Sequence, residues 1–309
     1  MFKRRRVVKL LAGLLLPLAM VAAACSSDSD DGSADSDSGG SDAKTISIAY
    51  IPWDEDIAVT YLWKQVLEDN GYKVSAEQLD VAPTFQGIAD GNVDLFFDTW
   101  LPTTHADYWE EFGDKVEDLG VWYDNAILTI AVPDYMDADS IADLASVADQ
   151  VNGEIIGIEP GAGLTRVTKD EAIPGYKLGD AFKLVTSSTT AMLTALDKAI
   201  AEKEPIVVTL WRPHWAYSAY PIRDLKDPEG LMGGAEEIHV IGRKGFSDDH
   251  KEVADALANF KLDDEQLASL EAEIFGDDPS NPDIEGGVSR WIKDNQDFVD
   301  GMFSSKADS

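Results

Sequence analysis

From residue 45 onward, short apolar runs alternate with stretches whose apolar positions recur every three to four residues. Runs of the first kind suit buried strands, and stretches of the second kind suit helices with one face against a core. The pattern predicts a strand over 45–51 (TISIAYI), a helix over 56–69 and, after Asn70-Gly71, a second strand, YKVSAEQL. A helix over 85–90 and a short buried strand over 93–97 come next, the strand ending at Asp98-Thr99-Trp100. Further strands are predicted over 126–132, 155–158, 182–185, 206–210 and 237–243, with a helix over 190–202 between two of them. From Asp248 the pattern changes to consecutive helices, KEVADALANF, DDEQLASLEAEIF and VSRWIKDNQDFVDGMF, read as packing elements.

Strands alternating with helices predict α/β units around mainly parallel sheets. A chain of 309 residues favours two compact units over one. The strands over 126–132 and 237–243, beside Pro133 and Gly233-Gly234, are the best candidates for crossings between two lobes. The expected division is 44–132 with 237–309 as one lobe and 133–236 as the other.

The first 43 residues follow different rules. MFKRRR is a basic start, and the 15-residue apolar run over 10–24 is too short for an ordinary membrane span of about 20 residues. We read 1–24 as a cleaved secretion signal. The sole cysteine, Cys25, follows Ala22-Ala23-Ala24 in a pattern that resembles a bacterial lipobox, with Ala22 where Leu is familiar. Residues 26–43 hold only Ser, Asp, Gly and Ala, so 25–43 is expected to be a lipidated cysteine followed by a disordered acidic leash. The protein is therefore expected on the outer face of a bacterial cell membrane, held there by the lipid on Cys25.

Charge narrows the partners. The chain has 58 Asp and Glu against 25 Lys and Arg, and loss of the leader's five basic residues leaves 20. That excludes nucleic acid and an anionic membrane surface as binding partners, since both need a concentrated positive field. One cysteine excludes an intrachain disulfide, and the four histidines are too scattered for zinc-ligand spacing. No P-loop, GxGxxG, HExxH or GxSxG occurs. The sequence advertises no enzyme, cofactor or metal site.

What stands out is the placement of tryptophan. Trp53, Trp100 and Trp211 sit at or just past the C-terminal ends of predicted strands, where open α/β sheets bind ligands. Trp63, Trp109, Trp122 and Trp291 fall within or beside predicted helices and read as packing residues; Trp215 lies between the classes. Three converging indoles suit a quaternary ammonium, a permanent cation with no N–H to donate, at about 0.5–2 kcal/mol per desolvated face. The alternative is that the rings only plug the interface between lobes. The turn Pro160-Gly161-Ala162-Gly163 stands between a strand and a helix starting near Leu164, and would offer free amides to a small carboxylate. It also reads as a tight turn and nothing more. A cation box and an anion nest together would suit a zwitterion.

The segments AYIPWDEDIA, DTWLPTTH, GIEPGAGL, EPIVVTLWRPHW and EEIHVIGRKGF, in this order, resemble the OpuAC-like family, the substrate-binding proteins of bacterial glycine betaine/proline betaine ABC importers. The resemblance implies an α/β, two-lobed periplasmic-binding-protein-like fold with a ligand cleft between lobes and a helical C-terminal tail. It implies that Trp53, Trp100 and Trp211 cage the trimethylammonium, and that the carboxylate meets the amides of Gly163 and Leu164 and the imidazole of His105. It further implies a membrane permease and its ATPase as partners. Two departures, Arg212 where many relatives carry a small polar residue and Pro52 where others often have Ala, leave the exact ligand open. The alternative within the class is a choline or carnitine receptor.

Overall fold

The computed structural model describes residues 44–276 and 281–303, all within one compact unit spanning 41–309. The expected leader, Cys25 and the acidic leash lie outside the described residues. Among the described residues the strands are β1 (Thr45–Tyr50), β2 (Lys73–Gln78), β3 (Leu95–Leu101), β4 (Val116–Pro133), β5 (Glu154–Ile156), β6 (Lys183–Val185), β7 (Val208–Arg212), β8 (Ile222–Asp224) and β9 (Glu236–Arg243). They run side by side in the order β2-β1-β3-β9-β4-β7-β5-β6, with β8 also on β4.

Parallel pairing holds inside two triplets, β2-β1-β3 and β6-β5-β7. Between them, β9 and β4 run antiparallel to each neighbour, so the sheet is mixed rather than mainly parallel. β4 joins the two halves. Its residues from Val116 to Ala126 pair with β9, while Ile127 to Ala131 pair with β7 and the last three with β8. The periodicity shows only the final third of this 18-residue strand. Register shifts at Asp118/Gly120, Val121/Tyr123 and Tyr123/Ala126 break the alternation that a pattern reading needs. Trp122, expected at a helix edge, lies in this strand.

Helices frame the loops at the strand ends. α1 (Asp54–Asp69) starts two residues before the predicted helix, with Trp53 as its N-cap. α2 (Val81–Ala89) starts four residues early because Pro83 falls in the first turn, where its missing N–H costs nothing. α3 (Ala106–Phe112) follows β3. α4 (Gly163–Val167) runs on through a π-helical stretch, Thr168–Ala172, into α5 (Ile173–Gly175). α6 (Thr189–Glu202) is capped by the Ser188 hydroxyl, which accepts from the Ala191 amide at 3.1 Å; α7 (Ala216–Ala219) follows β7.

The C-terminal helices are α8 (Phe246–Asp249), α9 (Lys251–Asn259), α10 (Asp264–Phe275), α11 (Ile284–Asp294) and α12 (Gln296–Met302). α10 opens on a capping box between Asp263 and Gln266, which satisfies two amides at once. α10 and α11 pack on α1, and α9 on β4, so the tail buries the β1–β3 half. Trp63 meets Phe260 edge-on at 5.2 Å and Trp291 meets Phe298 at 5.9 Å, so these rings are core packing, as their helical positions suggested. Among the described residues no helix is long and apolar enough to cross a membrane.

Candidate ligand-binding site

Between the two halves lies a cavity of about 260 Å³, counted to its mouth. Its walls are the indoles of Trp53, Trp100 and Trp211, the aliphatic Leu128, Ile158, Ala162 and Leu164, and two polar residues, Thr104 and Glu55. Four of the six expected site residues thus line one space. The other two, His105 and Gly163, stand one position from a wall residue, beside Thr104 and between Ala162 and Leu164.

Each of the three indoles is fixed through its N–H. Trp53 Nε1 donates to Glu159 Oε2 at 3.3 Å, Trp100 Nε1 to Asp98 Oδ1 at 2.8 Å, and Trp211 Nε1 to Glu55 Oε2 at 2.8 Å. Each acceptor is a carboxyl oxygen at the ring's edge, which leaves the ring faces free. Glu159 is itself held by the Thr189 amide and hydroxyl at 2.8 and 2.9 Å. His214 buttresses Trp211 edge-on at 4.7 Å, and its Nδ1 accepts from the Ala216 amide at 3.1 Å. Trp215, ambiguous from the sequence, donates to Asp54 at 2.5 Å, stacks on Phe275, and faces away from the cavity.

Trp100 lies inside β3 rather than past its end, and the chain turns back at once. The His105 amide donates to the Trp100 carbonyl at 3.0 Å, and the Trp100 amide donates to His105 Nδ1 at 2.9 Å. That second bond fixes the tautomer: Nδ1 accepts, so the proton sits on Nε2. Nε2 has no protein partner, although the ring is fully buried and stacked on Trp53 at 5.8 Å and 7°. Burial, with the Arg166 guanidinium second, pulls the His105 pKa down to about 3. At neutral pH the ring is an uncharged donor lacking an acceptor.

The loop between Trp100 and His105 is held by a buried acid invisible to the sequence reading. Glu236, the first residue of β9, accepts from the amides of Thr103 and Thr104 at 2.7 and 2.9 Å and from the Thr104 hydroxyl at 2.5 Å. Across the cleft, Gly163 presses on the same loop. A Cβ at Gly163 would overlap the Thr104 carbonyl oxygen and lie 2.7 Å from its carbon. Arg166 Nη2 donates to the Thr103 carbonyl at 2.6 Å, and the Tyr108 hydroxyl to the Gly161 carbonyl at 3.2 Å. Arg212 takes no part: its Nε donates to Asp224 at 2.6 Å and its guanidinium lies 3.6 Å over Tyr217.

The acids around the cavity are unusual. Asp54, Glu55 and Asp56 in the first turn of α1, Asp98 in β3 and Glu271 in α10 are all buried. A helix N-terminus favours negative charge, which helps α1 tolerate three acids there. Burial nonetheless pushes Glu55, Asp56 and Glu271 well above the usual carboxylate range and raises Asp98 to about 7. Asp94, four residues before Asp98, is structural. It accepts from the Ser47 amide and hydroxyl at 2.7 Å each and from Arg243 at 2.7 Å.

Two α/β halves joined through a shared strand, with an aromatic, mostly apolar cavity at the junction, define a two-lobed solute-binding protein. Residues 44–294 match the OpuAC family, the substrate binding domain of the ABC-type glycine betaine transport system, and the chain belongs to that family. A solved lactococcal OpuAC, in a closed conformation complexed with glycine betaine, is 35% identical, covers 84% of this chain and 100% of its own, and superposes with a TM-score of 0.78. The glycine betaine/carnitine transport binding protein of Listeria monocytogenes is 40% identical over 155 residues, half of this chain and half of its own length. A choline binding protein solved with choline shares the fold, at 24% identity, a TM-score of 0.77, and 86% and 93% coverage.

Proposed function

We propose that this protein captures glycine betaine, with proline betaine as a second ligand, outside the cytoplasm and hands it to a membrane permease driven by a cytoplasmic ATPase, for osmoprotectant uptake. The carrying observation is the cavity wall: three indole faces with no Lys or Arg among them, and a buried imidazole N–H without an acceptor beside it. A trimethylammonium among the faces of Trp53, Trp100 and Trp211 gains about 0.5–2 kcal/mol from each. The ligand carboxylate then takes the His105 Nε2–H and the amides of Gly163 and Leu164. Those two amides open a helical run and have no intrahelical acceptor. In this reading the family, not catalysis, sets the role: the residues at the cavity bind and exclude water.

The lobe boundary is best drawn within β4, between Ala126 and Ile127, where its partner changes from β9 to β7. Trp53, Trp100 and His105 then belong to one lobe and Trp211, Gly163 and Leu164 to the other, so ligand capture and lobe closure are one event. Cys25 is the proposed lipid anchor, resting on the sequence alone.

Calorimetric titration of the purified protein with glycine betaine, choline and L-carnitine tests the reading. One-to-one binding of betaine with much weaker choline binding is the expected result. Binding of choline alone would keep the rings and remove the roles given to His105, Gly163 and Leu164. No heat with any of the three would overturn the cavity as a quaternary-ammonium site.

A further inference from the structure

Among the described residues none of the three carboxyl groups that hold the rings pairs with a Lys or Arg, and two of them, Glu55 and Asp98, are fully buried. Among the described residues no Lys or Arg forms an ion pair with Glu55, Asp56, Asp98 or Glu271, and the one base against this group of acids is His214, whose Nε2 lies 3.2 Å from Asp54. Glu55 reaches the cavity wall and accepts from Trp211; Asp98 accepts from Trp100 through Oδ1, while its buried Oδ2 has no partner. Asp56 is occupied by the Ile51 amide at 2.7 Å and the Thr60 hydroxyl at 3.1 Å. Nor is this a metal site: among the described residues no group of three His, Cys, Asp or Glu is arranged to hold an ion.

Several negative charges cannot share a dry site without a counterion. A permanent cation in the cage is such a counterion, and it brings no proton of its own. We propose that Glu55 and Asp98 hold a proton between them while the cavity is empty, and give it to solvent when a quaternary ammonium enters, so that ligand capture is linked to proton release. This rests on the reading of the cavity as a quaternary-ammonium site. The groups facing the pair act in the direction required. Burial raises Glu55 first and repulsion from Asp98 and Glu271 adds to it; only N–H donors oppose, the backbone amide of Glu55 and the Trp211 indole on Glu55, and the Trp100 indole on Asp98. Asp56, next along α1, is raised by Asp98 as well. His105 is not the source of the proton, because burial already holds it neutral.

The linkage has a sign. Ligand favours the ionised pair, so affinity rises with pH until the empty cavity is itself deprotonated, then levels off. One proton released corresponds to about a tenfold fall in Kd per pH unit on the rising limb. The experiment is calorimetry of the purified protein with glycine betaine at about pH 6.5 in two buffers of different ionisation enthalpy, with Kd followed from about pH 5.5 to 8. Heat that differs between buffers in the sense of release, and a Kd falling several-fold to tenfold per unit before flattening, are expected. Glu55→Gln and Asp98→Asn each keep an acceptor for their indole, and each should shrink the buffer difference, flatten the pH profile and weaken binding at pH 8. Buffer-independent heat with a flat Kd would overturn the proposal while leaving the binding site intact. So would proton release surviving in the Glu55→Gln/Asp98→Asn double variant. If that variant does not fold, the two-buffer measurement on the unaltered protein decides alone. Absence of binding at every pH would remove the site reading and this inference together.

Discussion

Gly163→Ala is the sharpest test of how the cleft closes. The added methyl would overlap the Thr104 carbonyl oxygen and stand 2.7 Å from both the Thr104 carbonyl carbon and its Cγ2. The first two are backbone atoms, and that backbone is pinned by Glu236 through the Thr103 and Thr104 amides, so it cannot step aside cheaply. Overpacking of this kind costs about 1–3 kcal/mol. Gly163 and Thr104 sit in different lobes, so the strain vanishes if the cleft opens, and the cost falls on the closed, liganded form. The expected result is a Kd for glycine betaine raised about 5- to 150-fold, read by calorimetry. The ligand-free melting temperature should move by no more than about 3 °C. Gly161→Ala is the control, since its Cβ would meet only the Tyr108 hydroxyl at 3.8 Å, an ordinary contact. A Gly163→Ala protein binding within about twofold of the unaltered one, or a Gly161→Ala protein equally impaired, would refute the closure argument.

Other outcomes follow from the same geometry. Trp211→Ala removes one ring face and leaves Glu55 without its N–H donor, so glycine betaine affinity should fall between about tenfold and a thousandfold in titration. His105→Ala should weaken betaine about 10- to 150-fold, by loss of a bond to a charged group, and leave any choline binding within about twofold. Asp98 has a folded pKa of about 7, raised from an unfolded value near 3.9. Its protonated form therefore suits the fold below pH 4, and stability is lost as pH rises from about 4 through 7. Asp98→Asn should raise the ligand-free melting temperature more at pH 8 than at pH 5, in scanning calorimetry. Arg212→Ala breaks a half-exposed pair with Asp224 outside the cavity, so it should cost at most about 1 kcal/mol of stability and leave the betaine Kd unchanged.

Much of the fold was legible because strands and helices in this chain keep their own periods. All fourteen segments predicted from the pattern fall on observed elements, and the three indoles at the cavity stand near strand ends, where the same pattern put them. What hid was structure whose local pattern is broken by tertiary needs. β4 is bulged at three places so that it can pair with β9 and then β7, and its first two thirds read as irregular. β8, three residues long, has no pattern to read. The antiparallel set of β9 and β4 depends on which strand lies beside which, and periodicity carries no such information.

The functional acids were hidden by abundance. With 58 carboxylates in the chain, Glu55, Asp98 and Glu236 carry no mark that separates them from the solvated majority. The one usable signal was WDED itself: three acids in succession at the start of a helix whose neighbours on both sides are core residues. Asp54, Glu55 and Asp56 cannot all face solvent when Ile51, Trp53, Ala58 and Val59 are buried around them. The position of Arg212 shows the converse. The sequence leaves open what a cation one residue from Trp211 does; alternation along β7 sends its side chain to the opposite face from Trp211, onto Asp224 and Tyr217.

The arrangement of the indole bonds says when the cage exists. Trp53, in the β1–β3 half, is held by Glu159 from the other half; Trp211, on β7, is held by Glu55 from α1. Each half therefore supplies an acid that orients the other half's ring. Separating the halves breaks both bonds and leaves two carboxylates and two indoles free to hydrate. The three faces converge only in the closed form, which is also where Gly163 meets Thr104 and Arg166 meets the Thr103 carbonyl. A ligand that needs all three faces pulls the lobes together by its own binding energy, and one that needs a single face has no means to do so. Under the proposed function, selectivity for a compact quaternary ammonium thus resides in the geometry of closure as much as in any one tryptophan.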